Sequence, residues 1–296
     1  MTDKKESKNK ILKKSTAEIV DQVDDPILNK KFIHELIVHM RAAVPALVVN
    51  VRDRRQFQMD VQYATTELEF NLVSWNADSG LSYTPAGAAQ ERPLGNPLET
   101  SHPYKALELI KNIAFGVDKK NATFGTKTLF IFRNFQDCWS GMPWGPGRPF
   151  AIVEMIVNCL NIFKNKTCSF LFYGPSLTVP PGLADDVQRL EYTLPGREAL
   201  ISKFRHIEEG VHLSRPDVEL ATEETLEKSV LSTQGLTASK AEQAYAISLI
   251  KTDFNYNSRE YWTHCAELRR AYIKEMGLVE IVKPHGGFKE TFGGYE

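Results

Sequence analysis

The chain has 296 residues, of which 42% are hydrophobic and 25% charged, and its formal net charge is -1. That length and balance fit one large α/β domain, or a core with a smaller satellite. Near-neutral charge argues against nucleic acid or an anionic membrane as partner, because no long-range field draws either to the molecule.

Charge is nevertheless uneven at the start. Met1 to Lys14 holds six lysines against Asp3 and Glu6, with almost no apolar residues. Residues 1–28 are therefore expected to form a basic, solvated arm. No apolar stretch follows it, so it is not a secretory signal, and no apolar run approaches a membrane span. Cys138, Cys159, Cys168 and Cys265 match neither metal-ligand spacing nor a compact disulfide framework. Reduced, packed thiols in a reducing compartment are the expectation.

Asn29 stands at a capping position before Phe32, Ile33, Leu36, Ile37 and Met40, an apolar stripe at helical spacing. Ala46 to Val51 then reads as a strand buried on both faces of a parallel sheet. Where a phosphate-binding fold places glycines and a lysine, the chain continues Arg52-Asp53-Arg54-Arg55-Gln56. Phe70 to Trp75 is a second strand, and Asp78 to His102 reads as a long loop. Pro103 suits the first position of a helix carrying Ala106, Leu107, Ile110 and Ile113. Thr128 to Phe132 is a third strand, ending in Arg133-Asn134. A loop rich in glycine, proline and tryptophan, Trp139 to Pro149, precedes a helix with Ile152, Ile156, Cys159, Leu160 and Phe163 inward. Ser169 to Tyr173 and Gln188 to Thr193 complete five strands alternating with helices, the pattern of a doubly wound α/β sheet.

Beyond about residue 210 only helices are predicted. Ser239 and Glu242 have capping-box spacing, and Asn257 and Glu260 open a last helix with Tyr261, Cys265, Leu268 and Tyr272 inward and Gly277 as its stop. The expected organisation is an arm over 1–28, an α/β domain over 29–210, a helical subdomain over 211–282 and a junction over 283–296.

Three stretches carry a family resemblance. Phe170 to Ser176, Val179-Pro180-Pro181-Gly182-Leu183 and Leu194-Pro195-Gly196-Arg197-Glu198 resemble the sensor strand, the following turn and the helix start of AAA-type ATPases. Gly235-Leu236-Thr237 to Leu249 resembles their lid helix. Met276 to Ile281, with Gly287-Phe288 and Phe292 to Glu296, resembles a junction into a second AAA domain. Together these are most similar to the N-terminal, degenerate AAA-like half of the hypothetical chloroplast reading-frame (ycf) class. The resemblance implies a P-loop NTPase-like fold with degenerate Walker motifs followed by a helical lid. It also implies ATP and magnesium as cofactors of the parent family, held by a following domain rather than by this chain. A cytoplasmic or plastid-stroma-like compartment goes with it.

Position by position, the residues offer little hydrolytic chemistry. Arg133-Asn134 stands where catalytic members keep magnesium-binding and water-polarising acids, and Asn134 serves equally as a strand terminator. Ser176 is either a phosphate sensor or a turn residue. Arg52, Arg54 and Arg55 are either phosphate partners or a solvated charge cluster, since side chains without glycines obstruct backbone approach to phosphate. Arg189 is the remaining arginine near the expected finger position. His34 and His39 lie five apart, on different sides of a helix, and cannot share a metal. Trp139 and Trp144 are either anchors for a partner or rings tucked into the domain's own surface.

The reading favoured is a non-catalytic AAA-like module for assembly or partner recognition. Its expected partners are an AAA ATPase domain in cis or in trans, a second copy in a homo-oligomer, and a protein client. The rivals are a divergent ATPase binding ATP between subunits and a stand-alone regulator of an intact ATPase.

Overall fold

A computed structural model describes residues 15, 16, 19, 27–88, 90–114, 127–139, 149–164 and 166–275. The chain divides into two units, Met1–Thr193 and Leu194–Glu296. In the first, α1 (Lys30–Arg41) is capped by the Asn29 side chain, which accepts from the Phe32 amide. After it come β1 (Ala46–Asn50), α2 (Arg54–Glu67), β2 (Asn71–Asn76), β3 (Gly80–Thr84), β4 (Arg92–Pro93), α3 (Pro97–Thr100) and α4 (Pro103–Ala114). The unit continues with β5 (Thr128–Arg133), α5 (Gln136–Trp139), α6 (Pro149–Phe163), β6 (Cys168–Gly174) and β7 (Val187–Leu190).

These strands form a seven-stranded sheet in the order β4-β3-β2-β5-β6-β1-β7. From β2 to β7 all neighbours are parallel, with Val48 beside Phe172 and Phe172 beside Phe132. Period-two alternation sends aromatic and aliphatic side chains to opposite faces. Phe130, Phe132, Phe170 and Phe172 face α4 and α6, while Leu47, Val49, Leu129, Ile131 and Leu171 face α1 and α2. Phe130 stacks on Phe163 of α6 with centroids 5.3 Å apart. Each fully buried ring or branched chain contributes up to about 1.5–3 kcal/mol, so both faces hold the central strands.

The sheet is thus mixed rather than wholly parallel, and the stretch Asp78 to His102, expected as a loop, contains β3, β4 and α3. Leu81 and Tyr83 alternate inward beside Val73 and Trp75. Gly80 makes the reversal possible at φ +71°, and a Cβ there would lie 2.3 Å from the Thr100 hydroxyl. α3 closes against it, Trp75 donating to the Thr100 carbonyl at 2.8 Å and Leu81 N to the Thr100 hydroxyl at 3.1 Å.

Within the stretch expected as a basic arm, three described residues, 15, 16 and 19, precede residue 27. Ile19 is buried in the core under α1 and α2, and Arg41 donates to the Thr16 hydroxyl at 2.8 Å. The junction over 283–296 lies outside the described residues.

Among its described residues the second unit has α7 (Arg197–Ser214), α8 (Glu223–Thr233), α9 (Ala238–Lys251) and α10 (Arg259–Glu275). Residue 210 falls inside α7, so the division comes earlier, because Leu200 and Phe204 pack with Tyr245, Tyr256 and Tyr261. Thr237, rather than Ser239, caps α9 by accepting from the Lys240 amide. Tyr261 and Cys265 are buried on α10, with Leu268 and Tyr272 partly so.

All four cysteines are free and buried. Burial pushes Cys138 and Cys159 up to about 12 and Cys265 up to about 11, and raises Cys168. The folded chain therefore holds these protons more tightly than the unfolded one, and stability falls as pH rises from about 9 towards 12. A thiol reagent at neutral pH is expected to label the native protein slowly and all four cysteines after denaturation. Rapid native labelling at these positions would contradict their burial.

Candidate functional site

Open α/β sheets bind ligands beyond the carboxyl ends of their strands. Here that edge is drawn together around the end of β6. Val51 N donates to the Gly174 carbonyl at 2.7 Å, and Asn134 N donates to the Tyr173 carbonyl at 2.8 Å. Asn50 accepts from the Leu177 amide at 2.9 Å, tying β1 to the chain after β6. Arg52, Asn134 and Ser176 consequently share this edge, all exposed, while Arg54 is the first residue of α2 and also exposed.

Gly174 is small for a reason. A Cβ there would sit 3.1 Å from both the Asn134 and Gln136 side-chain oxygens, and Gln136 Oε1 is buried without a hydrogen-bond partner. Asn134 takes a left-handed conformation at φ +54°, which asparagine tolerates well. It ends β5 and turns the chain into α5.

Only Val51, Arg52 and Asp53 separate β1 from α2. Asp53 is 8% exposed and caps α2, its carboxylate accepting from the Gln56 amide at 3.2 Å. A helix N-terminus attracts anions through its free amides and positive dipole end, and here the chain's own carboxylate takes that place. Sequence reading passed over Asp53, although an Asp followed three residues later by Gln has capping-box spacing. The Gln56 side chain departs from that motif, donating instead to the Ile27 carbonyl at 2.9 Å and to Asp60 at 3.2 Å.

Asp60 is the other group that sequence reading missed. It is fully buried in α2 and accepts from Asn29 N at 3.0 Å, from Gln56 and from the Tyr192 hydroxyl at 2.6 Å. Burial raises its carboxyl above the usual 3.8, the hydrogen bonds opposing only in part, and burial likewise raises Tyr192. Asn29 also donates to the Thr193 carbonyl at 3.2 Å, so this network ties the start of α1 to the chain leaving β7.

Of the two places expected for Trp139, the structure shows the ring tucked into its own domain. Its ring is buried against Phe135 and Phe172, with centroids 5.6 and 4.9 Å away, and its indole donates to the Thr178 carbonyl at 3.0 Å. Trp144 lies outside the described residues. Arg189 donates to the Leu177 carbonyl at 3.1 Å. His39 contacts the Glu35 carbonyl, and among the described residues no group of His, Cys, Asp or Glu is placed to hold a metal ion. No helix among them is long and apolar enough to cross a membrane.

A family model described as the N-terminal domain of SpoVK-like AAA ATPases matches residues 32–192. No curated protein matches the chain. Among solved structures, C. elegans PCH-2 is 11% identical, covering 87% of this chain and 72% of its own, with a TM-score of 0.46. A chain of the E. coli MS115-1 HORMA:CdnC:Trip13 complex is 12% identical over 86% of this chain and 88% of that one, with a TM-score of 0.44. The FIGL-1 AAA domain in complex with ADP is 11% identical over 84% and 83%, with a TM-score of 0.46. With more than half its length matched, and with a P-loop NTPase-like sheet followed by lid-type helices, the chain belongs to the SpoVK-like AAA ATPase N-terminal domain family.

Proposed function

We propose that this chain is a non-catalytic AAA-like module serving assembly or partner recognition, with ATP hydrolysis carried by an AAA ATPase domain in cis or in trans. The observation that carries the reading is Asp53, whose carboxylate caps α2 directly after β1. Magnesium triphosphate does not fit the residues present. It would meet a fixed anion where it needs backbone amides, and at the end of β5 it would meet Arg133-Asn134 rather than acidic metal ligands. Arg52 and Arg54 supply cations, but the connection between β1 and α2 is too short to wrap phosphates.

The family's description as an N-terminal domain supports a position ahead of an ATPase domain. Kinship with the chloroplast reading-frame class, and a junction near the C-terminus into that domain, are part of the same reading, supported by the Gly-rich residues from Gly286 to Gly294. Trp144 stays in it as a partner anchor; Trp139 does not.

Titration with magnesium and ATP, followed calorimetrically, is expected to give no saturable signal up to millimolar nucleotide. Saturation in the micromolar range would favour the divergent-ATPase alternative. A steady-state ATPase assay on the chain mixed with an intact AAA ATPase separates the module from an inert bystander: the module changes the ATPase rate or co-purifies with it.

A further inference from the structure

On the face of the sheet that packs against α1 and α2, the described helices leave the β2–β3 end open. β2 and β3 turn Val73, Trp75, Leu81 and Tyr83 into the aromatic core, so alternation turns Leu72, Ser74, Asn76, Ser82 and Thr84 the other way. Beside α2 this leaves a cleft of about 320 Å³, lined among others by Gln58, Gln62, Thr66, Ser74, Asn76 and Glu91. That volume lies at the lower end of small-ligand sites, about 300–1,000 Å³.

Its lining is neutral apart from one carboxylate. Glu91 is the one acid among the lining residues, and no lysine, arginine or histidine joins it. The carboxylate is held from below: Ser74 donates to Glu91 Oε1 at 2.6 Å, and Ser82 donates to the same oxygen. Oε2 accepts from no group among the described residues, and Glu91 forms no ion pair among them. The remaining wall offers neutral amides and hydroxyls, whose oxygens can accept hydrogen bonds alongside their own N–H and O–H donors.

We infer that this cleft binds a guanidinium group. A guanidinium carries five donors in a planar fork and no acceptor. One edge would pair with Glu91 Oε2, and the others would reach the amide and hydroxyl oxygens of Gln62, Thr66 and Asn76. A carboxylate already oriented by two hydroxyls loses less freedom on pairing than a mobile surface one. The group can come from an arginine side chain of an extended peptide or from a small free guanidine. The site is independent of any nucleotide chemistry at the strand ends.

The test uses the full chain with three probes: the tripeptide Gly-Arg-Gly, its neutral isostere Gly-citrulline-Gly, and agmatine. The arginine peptide is expected to saturate, and both the citrulline peptide with wild type and the arginine peptide with Glu91→Gln are expected to bind about tenfold more weakly, the worth of one charge-assisted hydrogen bond. Glu91 is exposed, so the variant should unfold at the same midpoint as wild type. Ser74→Ala, which keeps the charge but loosens the carboxylate, should weaken binding less. Agmatine binding as tightly as the peptide assigns the site to a small guanidine; tighter peptide binding assigns it to an arginine side chain. Equal affinity for the arginine and citrulline peptides, unchanged affinity in Glu91→Gln, or no saturation by any probe overturns the assignment.

Discussion

Replacing Trp139 with alanine is expected to lower the unfolding free energy by about 3–5 kcal/mol, the range for truncating a fully packed aromatic core residue. The indole fills the space between Phe135 and Phe172, and its N–H satisfies the Thr178 carbonyl. Truncation opens a cavity under the end of β6 and leaves that carbonyl without its donor. Trp139→Phe should recover most of the packing and cost only the hydrogen bond, about 0.5–1.5 kcal/mol. Urea denaturation of both variants measures this directly. If Trp139→Ala unfolds at the wild-type midpoint and yet loses a binding partner, the ring is an anchor after all and its burial is incidental. Loss of partner capture together with stability means only that the scaffold has failed.

A second large effect is expected at Asp60. Asp60→Ala removes the acceptor for Asn29 N, the Gln56 amide and the Tyr192 hydroxyl at once. Buried donors left unsatisfied cost about 1–3 kcal/mol each, so the variant should lose roughly 3 kcal/mol or more. Asp60→Asn keeps one acceptor oxygen and should lose far less. Their pH dependences separate the charge from the hydrogen bonds. Because burial raises the Asp60 carboxyl above 3.8, the folded protein takes up this proton before the unfolded chain does as pH falls. The ionised form therefore weakens the fold at neutral pH, and this residue's contribution improves with acidification down to the ordinary carboxylate range. Wild type minus Asp60→Asn should show that gain between neutral pH and about pH 4, measured from unfolding midpoints. A difference that does not vary with pH would mean that the carboxylate is compensated in the fold.

Trp139 and Asp60 also mark where the sequence could and could not be read. The helix capped by Asn29, the strands around Val48, Phe130 and Phe170, and the helices ending in Lys251 and Glu275 announce themselves through periodicity and caps, which are local properties of the chain. The β3–β4 hairpin was hidden because its flanking turns are rich in glycine, proline and polar residues, and only the inward alternation of Leu81 and Tyr83 marked it. That Arg133-Asn134, rather than an acidic pair, follows the third predicted strand is plain from the sequence, since residue type needs no tertiary information.

The sequence by itself determined an α/β sheet followed by helices, the AAA-type resemblance and the missing glycine-lysine loop, because spacing and residue type are written along the chain. Which side of a helix or loop ring meets solvent was decided only by the tertiary structure. Trp139 sits among glycines and prolines yet turns inward, because the end of β6 offers it Phe172 and an unpaired carbonyl from distant positions. The Asp53 cap on the Gln56 amide is local and its spacing marks it in the sequence, but Asp60 became a buried carboxylate through partners that the fold supplies, among them Tyr192, 132 residues further along. Such long-range pairings cannot be written into local sequence pattern, and they govern the chemistry at this edge of the sheet.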